Sequence, residues 1–142
     1  ITLTGHQLLP RDIDMAEIIS TKASENSIRA LQHKLKEFAK ARDWEKYHSP
    51  RNVAAALVVE AAELLELYQW ADEAASTQLH SDAALREKIE DEAADILNYL
   101  LRFADLTNID LLAAANRKIE KNERKYPADK VYGSSRKYTD YD

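Results

Sequence analysis

The sequence predicts an all-α protein, a four-helix bundle of about one domain. Three observations point there. The 142 residues hold only 2 Gly and 3 Pro among abundant Ala, Leu, Glu and Lys, a composition that favours helix. Apolar residues recur at helical spacing in four separate stretches. Short or moderate connections join those stretches, which argues for antiparallel neighbours.

The first helix is expected over about residues 25–42. Ser24 or Ser27 can cap it, and Ile28, Leu31, Leu35 and Phe38 form its apolar stripe. A loop with Trp44, Tyr47 and His48 follows. Ser49 and Pro50 make a good cap and first-turn pair for the second helix, 50–70. Its core stripe is Val53, Leu57, Ala61, Leu64 and Tyr68. A connection over 71–82 has room for one helical turn. Ser81 or Asp82 caps the third helix, 83–105, whose core stripe is Ile89, Ala93, Ile96, Leu100 and Phe103. Asp110 caps the fourth, 110–125, which stops before Pro127. Residues 1–23 read as an N-terminal arm, 24–126 as the helical domain and 127–142 as an irregular tail. Residues 1–14, ahead of the one methionine, Met15, carry little weight in this reading.

The totals narrow the function. A net charge of −5 argues against a general nucleic-acid binder. The absence of Cys removes disulfides and thiolate chemistry and fits the cytoplasm. No apolar run reaches the roughly 18 residues of a membrane span, and no secretory leader is visible. Neither a nucleophile-elbow serine nor a phosphate-cradling glycine loop is present.

The chemistry-bearing feature is a pair of carboxylate pairs. Glu60 and Glu63 lie three apart in VAAALVVEAAELLELYQW, residues 53–70, and Glu92 and Asp95 repeat the device about thirty residues later. Residues i and i+3 share a helix face, so each helix offers two carboxylates beside an apolar stripe. If the helices pack side by side, four carboxylates converge. They repel unless a cation sits among them, and hard oxygen donors suit Mg²⁺, with Mn²⁺ as the variant. One such pair alone is usually a solvated helix face. Two pairs, each bordering a core stripe, are a better candidate.

Aromatic residues sit two turns along the same edges. Trp70 is seven residues after Glu63 and Tyr99 seven after Glu92, about 10 Å away on a regular helix. That length suits a ligand with phosphates at one end and a ring at the other. Trp44 joins them from the loop, though any of the three aromatics could equally be core packing. On the fourth helix Lys118, Asn122 and Lys125 or Tyr126 fall along one stripe, a cation and an amide for phosphate or sugar. His33 and His48 read as ordinary surface or loop histidines.

EAAE (60–63) followed by EAAD (92–95) resembles the ExxE…ExxD signature of the MazG-like all-α nucleoside triphosphate pyrophosphohydrolases. RDWEKYHSPRN (42–52), ELLELYQW (63–70), DEAADILNYLLRFAD (91–105), RKIEKNERKYP (117–127) and the tail GSSRKYTD (133–140) look like the dCTP pyrophosphatase-type branch. The resemblance covers about residues 27–141. It implies Mg²⁺-dependent hydrolysis of a nucleoside triphosphate to the monophosphate and pyrophosphate, serving nucleotide-pool sanitation or control. It implies metal binding by Glu60, Glu63, Glu92 and Asp95; the chemistry of the step then assigns Glu63 to orient or deprotonate the attacking water, since a carboxylate within hydrogen-bond reach can accept its proton. It implies a substrate pocket of Trp44, Trp70 and Tyr99, with Lys118, Asn122 and Tyr126 approaching phosphates or sugar. It also implies a homo-oligomer, a tetramer built from dimers. One departure stands out: vertebrate members carry a His where this chain has Leu35.

Two rival readings remain open at this stage. A ferritin-type di-iron bundle needs Glu-x-x-His pairs, and neither acidic pair contains His. A non-enzymatic helical oligomerisation or protein-binding module would leave both acidic stripes facing water.

Overall fold

The computed structural model describes residues 27–134, and every regular element among them is helical. In chain order these are α1 (Ile28–Lys40), a 3-10 turn (Glu45–Tyr47), α2 (Pro50–Glu66), α3 (Glu73–Ser76), a second 3-10 turn (Leu79–Ser81), α4 (Ala83–Thr107), α5 (Leu111–Lys125) and α6 (Ala128–Val131). The expected arm, 1–23, and the end of the expected tail lie outside the described residues, as does Ser24.

Caps set the helix starts. Ser27, Ser49, Asp82 and Asp110 each accept a hydrogen bond from the backbone N–H three residues on, satisfying a donor that has no intrahelical partner. Asp72 does the same for α3, so the connection 71–82 holds one helical turn and one 3-10 turn.

α1 spans 28–40, inside the expected 25–42, and two later helix ends differ from the sequence reading. α2 stops at Glu66, four residues early, because the chain tightens there: Tyr68 N–H bonds to the Leu65 carbonyl at 3.0 Å and Ala71 N–H to that of Tyr68 at 3.0 Å. α4 runs two residues longer, to Thr107, and ends on Asn108 in the left-handed region (φ 57), which Asn tolerates better than most residues. The Asn108 N–H reaches back to the Ala104 carbonyl. The tail also begins with a short helix, α6, instead of irregular chain.

The core is organised around α4. It packs along α2 on one side and against α1 on another. Leu101, off the Ile96–Leu100–Phe103 stripe of α4, is 1 % exposed, and Gln32 Nε2 of α1 donates to its carbonyl at 3.4 Å. Val53, Ala39 and Ala104 complete the enclosed apolar set among the described residues. Ala61 and Ala93, expected in the core, are exposed and line an open groove with Leu64, Leu65, Tyr68 and Ile89. α5 contributes little packing to the other helices, and Leu112 and Ile119 on it are exposed. The four expected helices, α1, α2, α4 and α5, all form, and among the described residues α1, α2 and α4 make most of the packing.

Candidate active site

Packing of α2 on α4 brings the two acidic pairs face to face. Carboxylate oxygens of Glu60, Glu63 and Glu92 all lie within 4.8 Å of one another. Glu60 and Glu92 are half-buried and Glu63 is exposed. Asp95 stands one turn beyond Glu92, outside this trio, and lines the neighbouring cavity together with Glu60.

The electrostatics record the crowding. Partial burial pushes the Glu60 carboxyl above its usual range, and the charges of Glu63, Asp95 and Glu92 add to the shift. Glu92 is raised in the same direction by desolvation, then by Glu63, Asp95, Asp91 and Glu66. Like charges disfavour each other's ionised forms, and a cation among them reverses that. The three gathered side chains are all hard oxygen donors, a set that fits a divalent cation with room for its waters.

Beside the cluster opens a cavity of about 370 Å³. Leu35, Phe38 and Ala39 of α1, Trp44 of the loop and Tyr99 of α4 supply its apolar wall. The loop is held in several ways. Trp44 N–H bonds to the Ala39 carbonyl at 3.0 Å. The Trp44 ring meets Phe38 edge-on at 5.9 Å, and the Arg42 guanidinium covers the Phe38 face at 3.6 Å. Asn52 Nδ2 donates to the Tyr47 carbonyl at 3.0 Å. Burial, then the charges of Glu60 and Asp95, raises the Tyr99 phenol, so it stays protonated and can donate.

The far end of the cavity holds a buried arginine. Arg102 donates from Nε to His48 Nδ1 at 3.1 Å and from Nη1 to Asp105 at 2.9 Å, with Glu45 at 3.8 Å. The sequence reading missed Arg102, Lys34 and Asn98 and set His48 aside. A signal was present: Asp95, Asn98, Tyr99 and Arg102 fall at i, i+3, i+4 and i+7 on α4, one continuous face.

The other predicted residues are placed elsewhere. Trp70 lies past the early end of α2, 90 % exposed, and is not among the cavity's lining residues. Lys118 and Asn122 are exposed on α5, away from the cavity. Tyr126 follows α5 with the Lys125 ammonium 5.4 Å from its ring centre.

A helical frame with facing carboxylate pairs beside a largely apolar cavity defines an all-α protein with an acidic cluster that could hold a cation. A model of the MazG-like family matches residues 55–141. Bovine (Bos taurus) dCTP pyrophosphatase 1 is 41% identical over 119 residues, 83% of this chain and 70% of that protein. The human (Homo sapiens) dCTP pyrophosphatase 1 is 41% identical over 104 residues, 73% of this chain and 61% of its own length. The chain thus spans between three-fifths and seven-tenths of these relatives. The crystal structure of a pyrophosphatase from Archaeoglobus fulgidus matches with a TM-score of 0.62 at 34% identity, covering 85% of this chain and 99% of that one. This chain belongs to the MazG-like family.

Proposed function

We propose that the protein hydrolyses a deoxynucleoside triphosphate, with dCTP or a modified relative favoured, to the monophosphate and pyrophosphate. The observation that carries this reading is the convergence of Glu60, Glu63 and Glu92 at the edge of an aromatic-walled cavity. The relatives' names give the reaction type and point to dCTP. The membrane plays no part in this reading: no described helix is long and apolar enough to cross one. A cytoplasmic location is compatible with the proposed substrate.

A triphosphate carries about four negative charges, and a chain of net charge −5 cannot hold it unaided. Glu60, Glu63, Glu92 and Asp95 would hold Mg²⁺, with Mn²⁺ as a substitute. The ion supplies neutralisation of phosphate charge and polarisation of a water. Glu63, the exposed member of the cluster, would accept that water's proton. Trp44 and Tyr99 offer flat faces to the base, with Leu35 and Phe38 closing the wall and excluding water.

The assembly completes the site. Val58 and Leu65, seven apart on the outer face of α2, are 68 % and 66 % exposed, and Leu112 and Ile119 repeat the pattern on α5. Apolar faces of this extent call for a partner surface, and a second copy of the chain supplies it. A dimer of dimers would bring Trp70, Lys118, Asn122 and Tyr126 of one copy toward the cavity of another.

The test is a panel of natural and modified NTPs and dNTPs with Mg²⁺, assayed for pyrophosphate. Pyrophosphate and dNMP are the expected first products. Orthophosphate and dNDP would refute the reading, and indifference to EDTA would favour the non-enzymatic helical module.

A further inference from the structure

Four side chains of α4 line the cavity, and of these Arg102 is held by hydrogen bonds to the protein. Asp95 belongs to the field of the acidic cluster, Tyr99 forms wall, and Arg102 is bonded to His48 and Asp105. Asn98 differs. It is half-buried and lines the cavity, and its side-chain amide makes no hydrogen bond to any described residue. Leu35, Phe38, Ala39 and Trp44 line the same cavity. A polar group that loses water there without a new partner costs about 1–3 kcal/mol, so an occupant must meet it. Asn98 sits one turn beyond Asp95, about 4.5 Å further from the acidic cluster along the helix. Phosphates tied to the cluster therefore leave Asn98 to the other end of the ligand.

We infer that Asn98 reads the N3–C4 edge of a pyrimidine, in either of two amide orientations, so that thymine or uracil is accepted beside the favoured cytosine. This rests on the nucleotide site proposed above. The Asn amide carries one acceptor oxygen and one donor NH₂. Cytosine offers a donor at N4 beside the N3 acceptor; thymine offers the O4 acceptor beside an N3–H donor. Half a turn of the amide about its last torsion exchanges Oδ1 and Nδ2 and fits the other base. A protein hydrogen bond would lock one orientation, and Asn98 makes none to a described residue. Leu35 brings no polar atom to the same cavity to break the tie.

The experiment compares kcat/KM of the full chain with Mg²⁺ for dCTP, dTTP and 2-deoxyribose 5-triphosphate, which has no base. Wild type should use dCTP and dTTP within about tenfold of each other. Asn98→Leu and Asn98→Ala should each lower both by about 10- to 100-fold, chiefly through KM, and leave the base-less substrate within about threefold. Two substitutions of different size, with melting curves, guard against a folding defect. The inference is overturned if both variants keep dCTP and dTTP turnover within about twofold, or if the base-less substrate falls by the same factor. A wild-type preference for dCTP over dTTP beyond about 1,000-fold would also overturn it. Absence of turnover on every dNTP by wild type would instead bring down the proposed function itself, and this inference with it.

Discussion

Arg102 donates its Nε–H to His48 Nδ1 at 3.1 Å, and that bond fastens the loop bearing Trp44 to the long helix α4. As acceptor, His48 Nδ1 must be unprotonated. Burial, then the Arg102 charge, lowers the His48 pKa, against a smaller opposing effect of Glu45. The sign follows: the folded state favours neutral His48, so its stabilisation is present above the ordinary value of 6.5 and is lost as pH falls below it. Replacing Arg102 with Met should cost about 1–3 kcal/mol of stability and raise KM through a loosened Trp44. Urea unfolding of R102M and H48Q at pH 8 and pH 5.5 checks this. The wild-type loss between those pH values should shrink in H48Q.

The carboxylates carry a sharper expectation. Glu63→Gln, Glu92→Gln and Asp95→Asn should each lower turnover by about 100-fold or more, with helicity unchanged. Calorimetry should show Mg²⁺ affinity falling in parallel. Near-normal rates in both E63Q and D95N would place the reaction elsewhere.

Stability without metal should run opposite to the usual carboxylate pattern. Glu60 and Glu92 have raised pKa values, so the folded chain holds protons that the unfolded chain has released. Their contribution therefore weakens as pH rises from the ordinary 4.5 through the raised folded values. In EDTA, E60Q and E92Q should gain Tm relative to wild type as pH climbs through that window. Mg²⁺ should erase the difference by stabilising wild type alone. Differential scanning fluorimetry at stepped pH reads both effects.

Association should be separable from chemistry. Light scattering at micromolar concentration should give a multiple of the 16.2 kDa chain mass. Leu65→Glu should lower that mass. Trp70→Ala should leave mass and Mg²⁺ affinity intact while raising KM for every base by a similar factor, roughly 1–3 kcal/mol of stacking. A monomeric wild type would refute the shared site, and an unchanged KM in W70A would remove Trp70 from it.

Much of this was legible because helices write their faces into the sequence. The cap residues and the four periodic stretches survive almost unchanged in the structure, and three of the four paired carboxylates gather. What sequence could not supply was the third dimension of α4. Its face toward α2 follows from the Ile96–Leu100–Phe103 stripe, but its face toward α1 depends on where α1 lies, and that hid both Leu101 and Arg102. The in-line placing of Trp70 assumed four more residues of regular helix than form. Reading i, i+3, i+4 and i+7 onward from Asp95 would have reached Asn98 and Arg102 without a structure.

The small private core has a consequence for abundance. Ala39, Val53, Leu101 and Ala104 are all the apolar side chains that one described chain encloses by itself. If copies of the chain cover the rest, folding and assembly become one equilibrium, and subunit concentration enters it as directly as temperature. Dilution would then act as a denaturant, and a cell making too little of this chain would lose it to proteolysis before it lost it to inactivity.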